Sequence, residues 1–140
     1  MMENEINNYV GVGEIRFGMT ESEIIEICGN DLDKYENQFT EGFKLSWNGH
    51  GMNILCDGSG CCEAVEGGKT ANITFKGESL TGKPYKDVKN YLLQYGKDIV
   101  EDEDGCTFYD LGIGLYVPTI KDGEQEEVEG VIAFVKGYYD

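Results

Sequence analysis

The side chains able to act as nucleophiles, metal ligands or proton carriers in this chain are five cysteines, one histidine and 27 carboxylates. Of the cysteines, Cys28, Cys56, Cys61, Cys62 and Cys106, the middle three read C-x4-C-C. A tetrahedral metal site needs ligands converging from two short turns, usually as two C-x-x-C pairs or as Cys and His at set spacing. This spacing gives no such pair, and on an extended strand Cys61 and Cys62 point to opposite faces. Cys28 and Cys56 fall on apolar faces, where thiols pack as small hydrophobes. No metal and no cofactor are expected. A thiol nucleophile, Cys61 or Cys62, would need His50 as its base, with Gly58-Ser59-Gly60 offering backbone donors. Nothing in the spacing brings base and nucleophile together.

The carboxylates are too numerous for any pair to stand out as general acid and base. Glu101-Asp102-Glu103-Asp104-Gly105 invites comparison with a calcium loop. With Gly105 at the sixth loop position, however, Val100 and Leu111 fall where oxygen ligands are required. Gly11-Val12-Gly13 lacks the rest of a phosphate-loop pattern. The carboxylates matter as a field instead. Eleven Lys and Arg oppose 27 Asp and Glu, a formal charge of -16. Such a surface repels nucleic acid and anionic lipid and speeds encounter with basic proteins.

These side chains sit on a chain of 140 residues that is 40% hydrophobic, with nine Tyr and six Phe. That is enough to bury the core of one domain, and too apolar and aromatic for a disordered acidic tail. The start, MMENEINNYV, has neither a basic region nor an apolar run, so no signal peptide is expected. No stretch approaches the roughly 20 apolar residues of a membrane span. The odd cysteine count argues against a paired extracellular framework, and the cytoplasm is the expected location.

Local patterns outline the elements. Thr20 with Glu23 forms a capping box, Ile24, Ile27 and Cys28 share a helical face, and Gly29 stops the helix. A strand at Ile15–Phe17 precedes it. Phe43–Trp47 alternates, Asn48-Gly49 suits a tight hairpin turn, and Met52, Ile54 and Cys56 continue the alternation. Ala71–Lys76 reads as a strand. A second helix runs from Lys83-Pro84 toward Gly96, with Tyr85, Val88, Tyr91, Leu92 and Tyr95 as its stripe. Cys106–Leu111, Ile113–Val117 and Val128–Val135 read as strands, and Glu101–Gly105 and Asp122–Glu127 as acidic loops. Trp47 alternates with Phe43 and Leu45 as a core residue would, yet its place near the hairpin tip also suits an interface anchor.

The two halves, about 14–77 and 78–140, look alike. Gly18-Met19-Thr20 matches Gly82-Lys83-Pro84, residues 51–55 resemble 112–116, and residues 71–75 resemble 130–134. The fold expected is α+β: two tandem helix-then-antiparallel-strand units in one domain, with the helices on one side of an antiparallel sheet. Ile15-Arg16-Phe17-Gly18-Met19-Thr20 through Gly29 resembles the opening of the repeat in β-lactamase-inhibitor-like and SmpA/OmlA-like domains. In the inhibitor arrangement, two such units form one sheet whose concave face binds an enzyme. Size, charge and element order also resemble small acidic immunity proteins of bacterial toxin systems.

The reading that follows is a non-catalytic inhibitor, an immunity protein neutralising a basic, nuclease-like toxin. Glu101, Asp102, Glu103, Asp104, Glu124, Glu126 and Glu127, with Trp47, would meet the partner. An acidic structural or scaffold interaction domain is the alternative, and a cysteine-dependent hydrolase the third. No nucleic acid or membrane partner is expected.

Overall fold

The computed structural model describes residues 4–36 and 41–139. A meander of β1 (Ile6–Asn7), β2 (Gly11–Val12) and β3 (Ile15–Arg16) leads into α1 (Glu21–Cys28). Four strands follow, β4 (Leu32–Glu36), β5 (Phe43–Trp47), β6 (Met52–Cys56) and β7 (Cys62–Gly67). A hairpin of β8 (Thr74–Phe75) and β9 (Glu78–Ser79) then leads into α2 (Tyr85–Leu92). Four more strands follow: β10 (Ile99–Asp102), β11 (Gly105–Phe108), β12 (Ile113–Tyr116) and β13 (Gly130–Phe134). The eight long strands form one antiparallel sheet in the order β10-β11-β12-β13-β7-β6-β5-β4. The fold is α+β, as the sequence predicts.

The two helices begin differently. At α1 the Thr20 hydroxyl accepts from the Glu23 amide at 3.3 Å and the Glu23 carboxylate accepts from the Thr20 amide at 3.1 Å, which completes the capping box. Gly29 closes the helix with φ 68°. At α2 the N-cap is Pro84, which has no side-chain hydroxyl to offer. Its first turn is capped by the acidic loop instead: Tyr85 and Lys86 donate to the carbonyls of Glu126 and Glu124 at 2.8 and 2.9 Å. Both helices are nonetheless pinned to the sheet in the same way. Gly18 donates to the Cys62 carbonyl and Cys62 to that of Met19, each at 2.8 Å. Gly82 donates to Val128 and Val128 to Lys83, each at 2.9 Å.

Strand alternation sorts each side chain to one face. One row across the sheet, Leu45, Ile54, Val65, Ala133, Ile113 and Phe108, is almost fully buried. It shares a single core cluster with Ile24 and Cys28 of α1 and Tyr85, Val88 and Leu92 of α2.

Several local expectations are corrected. Glu101–Gly105 is not a loop: Glu101 and Asp102 end β10, Gly105 opens β11, and only Glu103 and Asp104 turn between them. Of Ala71–Lys76, only Thr74 and Phe75 are strand, and they lie outside the large sheet. The β5–β6 connection is a four-residue turn with Trp47 opposite Met52, and positive φ falls at Gly51, 65°, rather than at Asn48-Gly49. Strands β4, β7 and β10 were not foreseen. Both β4 and β10 are edges with mostly exposed polar side chains, and a register shift interrupts the alternation where β7 meets β6.

Replacing Thr20 with Ala removes one arm of the capping box. Urea denaturation of T20A is expected to show a loss of about 1 kcal/mol, with an unchanged denaturant slope.

Candidate functional site

The sequence-predicted acidic residues fall at one end of the sheet, and Lys89 gathers two of them. From α2 its ammonium reaches Glu101 on edge strand β10 at 2.9 Å and Glu124 in the loop before β13 at 2.7 Å. The buried Tyr85 donates its hydroxyl to the same Glu101 oxygen at 2.7 Å. That hydrogen bond, and then Lys89, hold the Glu101 carboxyl below the usual range. Burial first, then the Glu101 contact, push the Tyr85 phenol up. Glu127 pairs with Lys69 at 2.9 Å. Three of the seven predicted acids are thus partnered by lysines that tie α2 and the neighbouring loops together. Asp102, Glu103 and Asp104 are exposed and Glu126 half-buried, with no cation against them among the described residues. Trp47 lies apart from this group. It is 4% exposed and stacks on His50, with ring centroids 3.7 Å apart, so it packs as a core residue rather than offering its ring to a partner.

The sheet face opposite the core adds residues that sequence reasoning missed. Its central row runs Asp33, Ser46, Asn53, Glu66, Ile132, Gly114, Thr107, Val100 across the eight strands. In this row the β4–β7 half is polar, with Ser46 donating to Asn53 at 2.8 Å and Asn53 to Glu66 at 3.2 Å, while the neighbouring row on the same face is Tyr35, Lys44, Leu55 and Ala64. The β13–β10 half is apolar and glycine-rich. Tyr116 is flanked across the strands by Gly105 and Gly130, and Ile132 leans over Gly114. Val100, Tyr116 and Tyr139 are each 51% exposed.

A concavity of about 550 Å³ lies mainly over this half and reaches across the seam to Asn53 and Glu66; Tyr116 and Tyr139 line it together with the carboxylates of Glu66, Asp102, Asp104 and Glu129. No Lys, Arg or His is among the described residues that line it. Tyr139 is held over the face by Phe134, Tyr138 and Tyr109. Burial, then Tyr109, then the carboxylates of Glu66 and Asp102 push its phenol up, so these acids converge on the same space. Asp102 and Asp104 had been singled out from sequence. Glu66, Glu129 and the two tyrosines had not, although glycines alternating with large residues at 112–116 were a visible signal.

The thiol constellation is not assembled. His50 lies at the Met52 end of β6 and Cys61 beyond its Cys56 end, about 13 Å of strand away. Cys56 and Cys62 are buried neighbours across β6 and β7, and burial pushes both thiols up to about 12. Burial likewise raises Cys28 and Cys106 to about 11. Among the described residues no group of three or more His, Cys, Asp or Glu is placed to hold a metal ion. Among the described residues no helix is long and apolar enough to cross a membrane.

Two outcomes follow for solution chemistry. A thiol-exchange reagent at pH 8 is expected to titrate Cys61 alone in the native protein, the four buried thiols reacting only on unfolding. Because the Glu101 carboxyl is depressed in the folded state, its contribution to stability is present above the ordinary glutamate pKa of about 4.3 and lost as pH falls through the lower folded-state value. The stability gap between the parent protein and Glu101→Gln, followed by urea unfolding, should therefore shrink on acidification across that window. Comparison of the chain with protein-family models, curated proteins and solved structures finds no match.

Proposed function

We propose that this chain is a non-catalytic binding protein that occludes a basic protein partner, acting in the cytoplasm as an immunity protein against a nuclease-like toxin. One observation carries the reading: a concavity on the open, partly apolar sheet face whose described lining residues include carboxylates and no cation, on a chain of charge -16. An apolar centre with a charged rim is the usual anatomy of a protein interface. The like-signed rim would steer basic partners and turn away nucleic acid.

We also read the chain as two copies of one unit, with both helices on one side of the shared sheet, in the manner of β-lactamase-inhibitor-like and SmpA/OmlA-like domains. Three features support this. Each helix is preceded by a short β element and followed by four strands. The hydrogen bonds of Gly18 and Met19 with Cys62 recur between Gly82, Lys83 and Val128. Gly51 and Gly112 open β6 and β12 with φ of 65° and 67°. On that register β13 answers to β7 and not to residues 71–75, so Glu66 and Ile132, which face each other across β7 and β13, are equivalent positions.

The test uses the basic protein encoded beside this one, or the one that co-purifies with it. Stopped-flow association from 50 to 500 mM salt should slow by about tenfold or more, with little change in dissociation. Inhibition of the partner's activity should saturate at one equivalent. A salt-indifferent association rate, or binding without inhibition, would sink the reading.

A further inference from the structure

We infer that the concavity on the β10–β13 half of the open face seats an arginine side chain presented by the basic partner, between Tyr116 and Tyr139 and against Glu66, Asp102 and Glu129. The inference rests on the binding function and the two-copy reading proposed above and goes further, by naming the seat and the group that fills it.

The first support is an internal control. If the halves are copies, the β4–β7 side records what the solvent-facing row of this sheet needs in order to be stable. There the row is Asp33, Ser46, Asn53 and Glu66, with hydrogen bonds running between neighbouring strands. The equivalent row on the other side is Val100, Thr107, Gly114 and Ile132. The buried rows stay apolar in both halves, with Leu45, Trp47 and Ile54 on one side and Cys106, Phe108 and Leu115 on the other. The fold therefore constrains the inward rows more than the central outward row, which is polar throughout on the β4–β7 side and carries Val100, Gly114 and Ile132 beside a single polar Thr107 on the other. Uncovered apolar surface costs solubility without helping the fold, which is the mark of a surface kept for contact.

The second support is chemical. Gly114 and Gly130 lower the floor, so the walls are the two tyrosine rings and the rim is carboxylate. An apolar anchor would leave Glu66 desolvated without a counter-charge, at a cost. A lysine would satisfy one carboxylate but present no plane to the rings. A guanidinium does both, since it stacks on aromatic faces while its fork of N–H donors reaches several carboxylate oxygens.

The probes are octa-arginine and octa-lysine peptides at 150 mM salt, followed by amide chemical shifts and by fluorescence anisotropy. If the inference holds, octa-arginine moves the amides of Gly114, Gly130 and Ile132 saturably and binds at least about fivefold tighter than octa-lysine. Tyr116→Ala and Glu66→Gln each weaken it by about tenfold, while Glu26→Gln on α1 changes it less than about twofold. Amide shifts of Ile54 and Val65 in each variant confirm that the sheet is intact. If octa-arginine moves only residues 101–104 and 124–127, or if all three variants lose affinity equally, the arginine seat is overturned while the acidic binder stands. If neither peptide binds, both ideas fall.

Discussion

The antiparallel seam between β7 and β13 is the interaction on which the rest depends, because within the eight-stranded sheet it joins β4–β7 to β10–β13. Its register sets Val65 against Ala133 on the buried side and Glu66 against Ile132 on the open side. A slip of one residue would exchange those faces and drive a carboxylate into the core. Val65 and Ala133 meet at the middle of the sheet, and larger buried side chains such as Trp47 and Phe108 lie on strands nearer its edges. The seam therefore fixes the core and the composition of the open face together.

Charge is managed separately from packing. The chain carries few cations, and three of the described lysines bind α2 and its flanking loops to acidic neighbours: Lys69, Lys83 and Lys89. Exposed pairs of this kind contribute little individually. Lys89 differs because it is mostly covered and bridges two carboxylates, tying edge strand β10 to the loop that caps α2. The acids spent in this way hold the second half together. Those left over, Glu66, Asp102, Asp104 and Glu129, rim the open face.

What could be read from the sequence was local. The capping box at Thr20 and Glu23, the stop at Gly29 and the alternation of Phe43–Trp47 depend on residues within one or two turns of each other, and they formed as the pattern implied. Strand β7 was hidden because Glu63 interrupts its pattern at the register shift and Glu66 points to the open side. Both edge strands were hidden because an edge favours charged and polar side chains that look like loop. The cavity was the least legible feature. Its lining comes from β6, β7, β10, β11, β12, β13 and Tyr139, and only cross-strand register reveals that Gly114 and Gly130 sit beside the large residues they leave exposed. A glycine read along the chain signals a turn, whereas read across a sheet it signals a hollow.

The seam also sets the order in which the molecule can be completed. Strand β7 closes the β4–β7 run, while its partner β13 follows only after α2 and three further strands of the same sheet, so ribosomal synthesis finishes one long before the other. Until Val131–Phe134 emerges, the row from Ala64 to Gly67 is an unpaired edge, and the apolar face beside it is closed on one side only. Contacts this distant in sequence form slowly, and an open edge is a template for any strand nearby, including the same segment of a neighbouring nascent chain. Glu63 and Glu66, the residues that disguised β7, place charge on that waiting edge and discourage it from pairing with itself.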